Sequence, residues 1–258
     1  MNTAKLYFLG TGTSGGVPSL GCTCEVCQSN DPHDSRLRTA AMIETASTRL
    51  LIDSGPDIRQ QLMDKEFRRI DGVLVTHAHY DHVGGVDDLR PYCAFGDIDL
   101  YANSQAVGAI KQMMYYCFTD ELYLGVPRLR LNTICPHKPF TISDITVMPV
   151  EVVHDQLPIL GFRIGNLAYI TDIKYIDQAN MELIRGVDHL VVSALRWEKP
   201  HHSHFLVSDA LELSRAIGAK ETWLTHLTHK IGLQSLASSM LPSDVHLAYD
   251  GAEIEFSL

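Results

Sequence analysis

The 258-residue sequence predicts an α/β fold, an αββα sandwich in which two mixed β-sheets stack face to face with helices on their outer faces. Three observations carry that expectation. Short apolar and β-branched runs alternate with amphipathic stretches along the whole chain. Each half of the chain holds several adjacent strands followed by strand–helix alternation. No low-complexity linker or fixed-period repeat separates the halves, so one domain over residues 1–258 is expected rather than two. A doubly wound parallel sheet is the competing architecture, disfavoured because too many strands succeed one another without a helix between them.

From the N-terminus, Lys5–Leu9, Ala41–Thr45, Arg49–Asp53 and Gly72–Thr76 are apolar or β-branched runs bounded by Gly, Ser or Asp, and read as strands. Asp57–Lys65 and Ser104–Cys117 carry apolar residues three and four apart and read as helices, with a further helix at Val86–Arg90. Leu129–Val153 opens a second strand-rich block. It continues through Gly161–Gly165 and Leu167–Thr171, which are so close that Asn166 must lie in a tight hairpin. Asp177–Arg185 is helical by its period. Val207–Ile217 is helical too, started by Val207 or Ser208 and stopped by Gly218. The remaining strands are His189–Ser193, Thr222–Thr225, His246–Tyr249 and Glu253–Phe256.

Composition narrows the function classes. A chain that is 45% hydrophobic and 20% charged has the balance of a globular protein, not of a disordered or fibrous one. No apolar run approaches the roughly 18 to 20 residues that span a bilayer, so no membrane partner is expected. The apolar stretch before Gly10 is too short for the core of a signal peptide, which points to the cytoplasm. A net charge of −10 argues against extended nucleic acid as a partner, because gripping several phosphates takes clustered Lys and Arg. A small phosphorylated substrate is compatible with it, since bound divalent cations would invert the local balance. A homodimer is equally compatible. The thirteen histidines ask for a chemical reason.

That reason begins where the strand Gly72–Thr76 runs into His77-Ala78-His79-Tyr80-Asp81-His82. In an extended stretch His77, His79 and Asp81 alternate and so share one side. His82 follows at once, and Val83-Gly84-Gly85 lets the chain turn closely beneath. Imidazole and carboxylate are the ligand types for Zn²⁺, Mn²⁺ or Fe²⁺. A lone histidine would be an ordinary surface residue. Four such groups in six residues exceed what a single ion takes from one short loop.

The pattern H-x-H-x-D-H resembles the signature of the metallo-β-lactamase superfamily, whose αββα sandwich matches the layout above. The resemblance implies further ligands at the ends of later strands, and candidates fall in order: His154 after Val147–Val153, Asp172 after Ala168–Thr171, and His226 after Thr222–Thr225. Each taken alone is an ordinary polar residue at a strand end. By resemblance, His77, His79 and His154 hold one ion, Asp81, His82 and His226 hold the other, and Asp172 bridges them. Asp53 resembles the family's carboxylate behind the ligands, which orients the histidine loop.

The six cysteines do not form a disulfide pattern. Cys93, Cys117 and Cys135 are scattered, and such residues are ordinarily small buried apolar groups. Cys22, Cys24 and Cys27 cluster instead, and three thiolates lack one ligand of a tetrahedral structural zinc. His229, three residues beyond His226, is the candidate fourth. The alternative is three reduced cysteines in a flexible loop. Together with Gly10-Thr11-Gly12-Thr13, Gly15-Gly16-Val17-Pro18 and the T-H-x-x-H segment, this loop resembles one branch of the superfamily, the phosphoribosyl cyclic-phosphate phosphodiesterases of phosphonate breakdown. The resemblance covers essentially the whole chain, most closely at Leu6–Cys27 and Val73–Gly84. In that branch, and in the related tRNA 3′-processing nucleases, a catalytic histidine precedes a helix. Of His201, His202 and His204, the last fits best, just ahead of Val207–Ile217; the other two read as exposed or auxiliary.

The implied activity is phosphodiester hydrolysis of a small cyclic phosphate or nucleotide-like diester. Two divalent ions would serve it, with Asp81 and His204 as the catalytic side chains and His204 as general acid. Arg196 and Lys199 are candidates for a second phosphate, against the plain reading of a solvated basic pair. Three alternatives stand beside it: a thioester or lactone hydrolase of the same superfamily, a tRNA 3′-processing nuclease, and a non-catalytic metal-binding scaffold. The nuclease is disfavoured by acidity and by the lack of a Gly/Pro-rich basic insertion. The scaffold is disfavoured by the presence of all seven expected ligands.

Overall fold

Strand β1 (Thr3–Gly10) sets the pattern in the computed structural model, which describes residues 2–119 and 125–258. Its Ala4, Leu6 and Phe8 are buried while Thr3 and Lys5 face water, the period-two alternation of a strand packed on one side. β2 (Ala40–Glu44) and β3 (Arg49–Ile52) follow antiparallel beside it. After α1 (Ile58–Leu62), the sheet grows parallel to β3. β4 (Gly72–Leu74) is followed by α2 (Tyr80–Val83), and β5 (Ile98–Ala102) by α3 (Ser104–Met113), with β6 (Leu129–Thr133) last.

The second sheet starts as a meander of β7 (Phe140–Ile142), β8 (Ile145–His154), β9 (Leu157–Ile164) and β10 (Leu167–Ile170). It then turns parallel, with α4 (Gln178–Leu183) before β11 (His189–Ser193), α5 (Val207–Ile217) before β12 (Glu221–Thr225), and α6 (Gln234–Ser239) before β13 (Val245–Leu247). The last strand, β14 (Glu253–Ser257), crosses back to pair antiparallel with β1. The sheet orders are therefore β14-β1-β2-β3-β4-β5-β6 and β13-β12-β11-β10-β9-β8-β7.

Three apolar layers hold this αββα stack together. Between the sheets, Leu6, Phe8 and Ile52 of the first pack in one cluster with Phe162, Tyr169 and Val191 of the second. Beyond the first sheet, Met42 and Leu51 pack with Ile58 of α1 and Ile110 of α3. Beyond the second, Val152, Ile170 and Val192 pack with Ala210, Leu213 and Ile217 of α5. Burying Val207, Leu213 and Ile217 on one face of that helix contributes roughly 5–9 kcal/mol. Gly218 ends it in the left-handed region, and its N–H bonds back to the Ser214 carbonyl, as the sequence predicts. Among the described residues no helix is long and apolar enough to cross a membrane.

Several elements differ from the sequence reading. β5, α6 and α2 were not expected: Asp81, expected in an extended stretch alternating with His77 and His79, lies instead in the helical turn Tyr80–Val83. Val86–Phe95 is a 3₁₀ helix rather than a short α-helix, and Pro91 inside it lacks the N–H that an α-ladder would use. The helix expected over Ser104–Cys117 stops at Met113 and continues only as a 3₁₀ turn at Tyr115–Cys117. Glu253–Phe256, expected with the second half, belongs to the first sheet.

Candidate metal centre

The carboxyl ends of β3, β4, β8, β10 and β12 meet at one edge of the sandwich, where open α/β sheets place their ligands. Asp53, Asp172 and His226 sit just past β3, β10 and β12, all in the left-handed region, with φ of 65°, 54° and 57°. For residues with a Cβ this conformation costs on the order of 1 kcal/mol or more each, and here it turns three side chains into one cleft. The histidine loop is clamped backbone to backbone against the Asp53 turn: Ser54 N–H donates to the His82 carbonyl at 2.7 Å, and Gly85 N–H to the Ser54 carbonyl at 2.9 Å. A Cβ on Gly55 or Gly85 would lie 2.0 Å from the Asp81 or Gly55 carbonyl oxygen, so only glycine fits.

Hydrogen bonds then decide which ring nitrogens face the cleft. Asp53, fully buried, accepts from the Thr76 N–H (2.8 Å), the Thr76 hydroxyl (2.8 Å) and His82 Nδ1 (2.7 Å). Since the Thr76 hydroxyl proton is committed to Asp53, His77 Nδ1 must donate to Thr76 Oγ1 at 3.0 Å. His154 Nδ1 must donate to the Ser203 carbonyl at 2.9 Å. His77 and His154 thus present Nε2 to the cleft as a lone pair, and His82 points its own Nε2 there.

The sequence-predicted residues converge. Ligand-type atoms of His77, His79 and His154 lie within 4.8 Å of one another, as do those of Asp81, His82 and His226. Asp172 joins the two groups: Oδ2 lies 3.3 Å from His82 Nε2 and Oδ1 3.2 Å from His226 Nε2, and its carboxylate is also within 4.8 Å of ligand atoms of His77 and of His154. His82 Nε2 and both ring nitrogens of His226 are buried without a hydrogen-bond partner, a costly state for protein alone. Orphaned imidazole nitrogens around two carboxylates are a donor set that fits divalent Zn, Mn or Fe.

Charge in the cleft follows the same logic. Burial opposes ionisation of Asp172, yet His226 and His82 hold its carboxyl well below the usual range. Burial also opposes the charge on Asp81, and contacts with His226 and His82 outweigh it. Burial and the neighbouring His82 push His77 well below an ordinary imidazole. His82 moves the other way: burial disfavours its proton, but Asp172 and Asp53 raise it well above. Burial, with His226 beside it, pushes His204 down to about 3.

His204 is buried beside this cluster. Its ring lies 4.7 Å from that of His154 and 4.9 Å from that of His226, and its Nδ1 is 3.6 Å from Asp172 Oδ1. It also satisfies a ligand distance with His154 and Asp172, so geometry alone allows it either role. His201, whose Nδ1 accepts from the Ser203 hydroxyl, stands one ring further out, and His202 is exposed. Arg196 spends its Nε–H on the Lys199 carbonyl at 3.0 Å, and Lys199 is exposed. Sequence reasoning missed Thr76 and the Ser203 carbonyl as orienting groups. The only signal for Thr76 was a hydroxyl residue immediately before the first histidine.

At the N-terminal loop, Sγ of Cys22, Cys24 and Cys27 lie 3.2, 3.3 and 3.3 Å from His229 Nδ1. Three sulfurs equidistant from one nitrogen approach the edge of a zinc tetrahedron, about 3.5 Å for usual Zn–S and Zn–N lengths. Backbone hydrogen bonding from Cys27 lowers the Cys24 thiol to about 6, towards the thiolate that a metal takes.

Comparison with known proteins agrees with this geometry. Residues 48–227 match the family model described as a beta-lactamase superfamily domain. A crystal structure of a diphosphatase from the PhnP family superposes with a TM-score of 0.91 at 36% identity, covering 98% of this chain and 97% of that one. An octanoyltransferase of Porphyromonas gingivalis is 42% identical over 96% of this chain, which spans about half (51%) of that relative's length. The exodeoxyribonuclease WalJ of Streptococcus pneumoniae is 24% identical over 84% of this chain and 87% of its own. The chain belongs to the metallo-β-lactamase superfamily and, within it, to the PhnP family.

Proposed function

We propose that the chain is a two-metal phosphodiesterase acting on a small cyclic phosphate or nucleotide-like diester. The observation that carries this reading is the convergence of seven ligand-type side chains on one strand edge, with Asp172 within ligand distance of both His82 and His77. His77, His79 and His154 would hold one ion and Asp81, His82 and His226 the other, with Asp172 the residue placed to contact both. Zn²⁺ or Mn²⁺, or Fe²⁺, when bound, supplies Lewis acidity that lowers the pKa of water and offsets charge developing on phosphoryl oxygens. The protein's own part is orientation: Thr76, Asp53 and the Ser203 carbonyl fix three imidazoles before substrate arrives. Burial and the neighbouring His226 disfavour a charge on His204, which is placed to offer its ring N–H to the diester. An anionic phosphate beside it favours its protonation and lets it pass a proton to the leaving alkoxide. Cys22, Cys24, Cys27 and His229 hold a structural zinc.

The diphosphatase relative supports phosphoryl chemistry. A second reading, thioester hydrolysis, draws on the relative named octanoyltransferase, of which this chain matches half. Assaying metal-loaded protein on cyclic phosphates and bis(p-nitrophenyl) phosphate against octanoyl thioesters separates the two. Rapid thioester cleavage with intact phosphodiesters overturns the first reading. His204→Ala is expected to lower turnover by about 10²-fold or more, the scale of general acid catalysis, with metal content near wild type. Loss of metal in that variant would make His204 a ligand.

A further inference from the structure

Two clefts open beside the metal cluster and share Leu157 as a wall. His79 and Leu157 line both. The larger, 490 Å³, is polar: His154, Asp155, Gln156 and His202 form its walls. The smaller, 310 Å³, is walled by Ala78 of the histidine loop, Ala106 and Ala109 of α3, Leu157 and Pro158, with Asn103 and the exposed Gln105 as its other polar side chains beyond the histidines. Among the described residues no Lys, Arg, Asp or Glu lines it.

A shallow apolar dimple elsewhere on the surface would mean nothing. This one has His77 and His79 as its inner wall, so it begins where the cluster ends. An acyclic, nucleotide-like diester whose phosphate sits over the cluster extends two arms, and two clefts that share Leu157 and His79 open beside it. The alanine-lined cleft offers no cation for a phosphate or carboxylate, and among the described residues its only polar side chains besides the histidines are Asn103 and the solvent-exposed Gln105. Asn103 is already engaged, its Oδ1 capping Ala106 N–H and its Nδ2 reaching the Pro158 carbonyl. Its 310 Å³ equals the room of about ten waters at roughly 30 Å³ each, which suits a single ring or short chain rather than a whole nucleotide.

We propose that the alanine-lined cleft is a substrate subsite for an uncharged, predominantly apolar ester arm, the second arm lying in the polar cleft past Leu157. This rests on the phosphodiesterase reading and adds to it the substrate's asymmetry. Ala109, half-buried on α3, lines the pocket, and a larger side chain there would take up its room.

The test is calorimetric binding of methyl-, phenyl- and n-octylphosphonate to the Mn²⁺-loaded protein and to Ala109→Phe. The wild-type protein should bind the phenyl or octyl compound about tenfold more tightly than methylphosphonate, as expected for a group of that size half withdrawn from water. Whichever of the two binds better tells ring from chain. In Ala109→Phe that preference should shrink to within about twofold. Equal affinities in the wild type overturn the proposal, and so does a preference that survives in a folded Ala109→Phe. Neither readout needs turnover, so a protein that hydrolyses no phosphodiester would sink the activity reading while these ratios still decide the subsite.

Discussion

Replacing Asp53 by asparagine separates the orienting of ligands from the folding of the chain. In the native arrangement, Asp53 Oδ1 accepts from Thr76 N–H, and Oδ2 accepts from both the Thr76 hydroxyl and His82 Nδ1. The backbone N–H of Thr76 cannot reverse, so the asparagine carbonyl must keep the Oδ1 position and its amide must take the other. That amide donates where a carboxylate accepted. His82 Nδ1 then has to accept, which moves its proton to Nε2, facing the cleft. The Thr76 hydroxyl also becomes an acceptor and turns its own proton to His77 Nδ1, which moves that ring's proton to Nε2 as well. One substitution thus reverses two ligands. Each orienting contact is worth about 10- to 100-fold in metal affinity, so Asp53→Asn should weaken binding by roughly 100-fold or more. Fold stability should change by about 1 kcal/mol, because every bond is remade and a neutral amide is buried more readily than a carboxylate already pushed up by burial. Asparagine also tolerates the left-handed backbone at this position. Asp53→Ala is the contrast: three buried donors lose their acceptor, a cost of roughly 3–6 kcal/mol. That is a large part of the roughly 5–15 kcal/mol that holds a domain together. Calorimetric metal titration and chemical denaturation of the metal-free proteins give both quantities. A folded Asp53→Asn that binds metal within about threefold of wild type would refute the tautomer reasoning.

Three further outcomes are expected. Asp172→Ala should lower the metal content read by elemental analysis below two ions per chain and remove turnover; retained turnover would rule out Asp172 as the bridging ligand. Cys24→Ser should abolish the one equivalent of zinc that a colorimetric chelator extracts from the unfolded chain under conditions that leave the main cluster empty. An unchanged equivalent would mean the three thiols are merely reduced. Asp250 gives a pH dependence away from the cluster: burial pushes its carboxyl from 3.8 up to about 6, although it accepts from Thr11 Oγ1 and Leu37 N–H. The folded state therefore holds this proton more tightly than the unfolded chain. The associated stability, roughly 3 kcal/mol, is fully present below pH 4 and lost as pH rises through 6. Denaturation of wild type relative to Asp250→Asn from pH 4 to 8 should show that decline, and a flat difference would contradict it.

The site was legible because its chemistry is written at strand ends. A β-branched run followed by a ligand-type residue marks His77 and its loop, whereas His154, Asp172 and His226 stood out from other polar strand-end residues only through the family resemblance. What the sequence hid was pairing and small structure. Ile98, Leu100 and Ala102 alternate as a strand should, but Asp97 and Asp99 dilute the run, and its neighbours β4 and β6 supply the ladder that makes it one. In α6 only Ala237 is buried, so its helix depends on packing beside β13 rather than on a periodic stripe. β14 alternates just as cleanly for either sheet, and only the tertiary fold chooses β1 as its partner. The direction of each imidazole proton depends on partners such as Ser203, 49 positions from His154, which spacing cannot reveal.

His226 differs from its fellow histidines in how it is fastened. His77, His82 and His154 each have the outer nitrogen moored to a neighbour, whereas both nitrogens of His226 lack one. Its ring is steadied instead by the strip of backbone that follows. Leu227 is laced to Thr11 and Thr13 of the N-terminal loop, and His229 to the three thiols. The cysteine site is thus a guy-rope for this unmoored ring. Slackening it at Cys22–Cys27 should first be felt as a loss of stiffness at His226, long before the sandwich itself gives way.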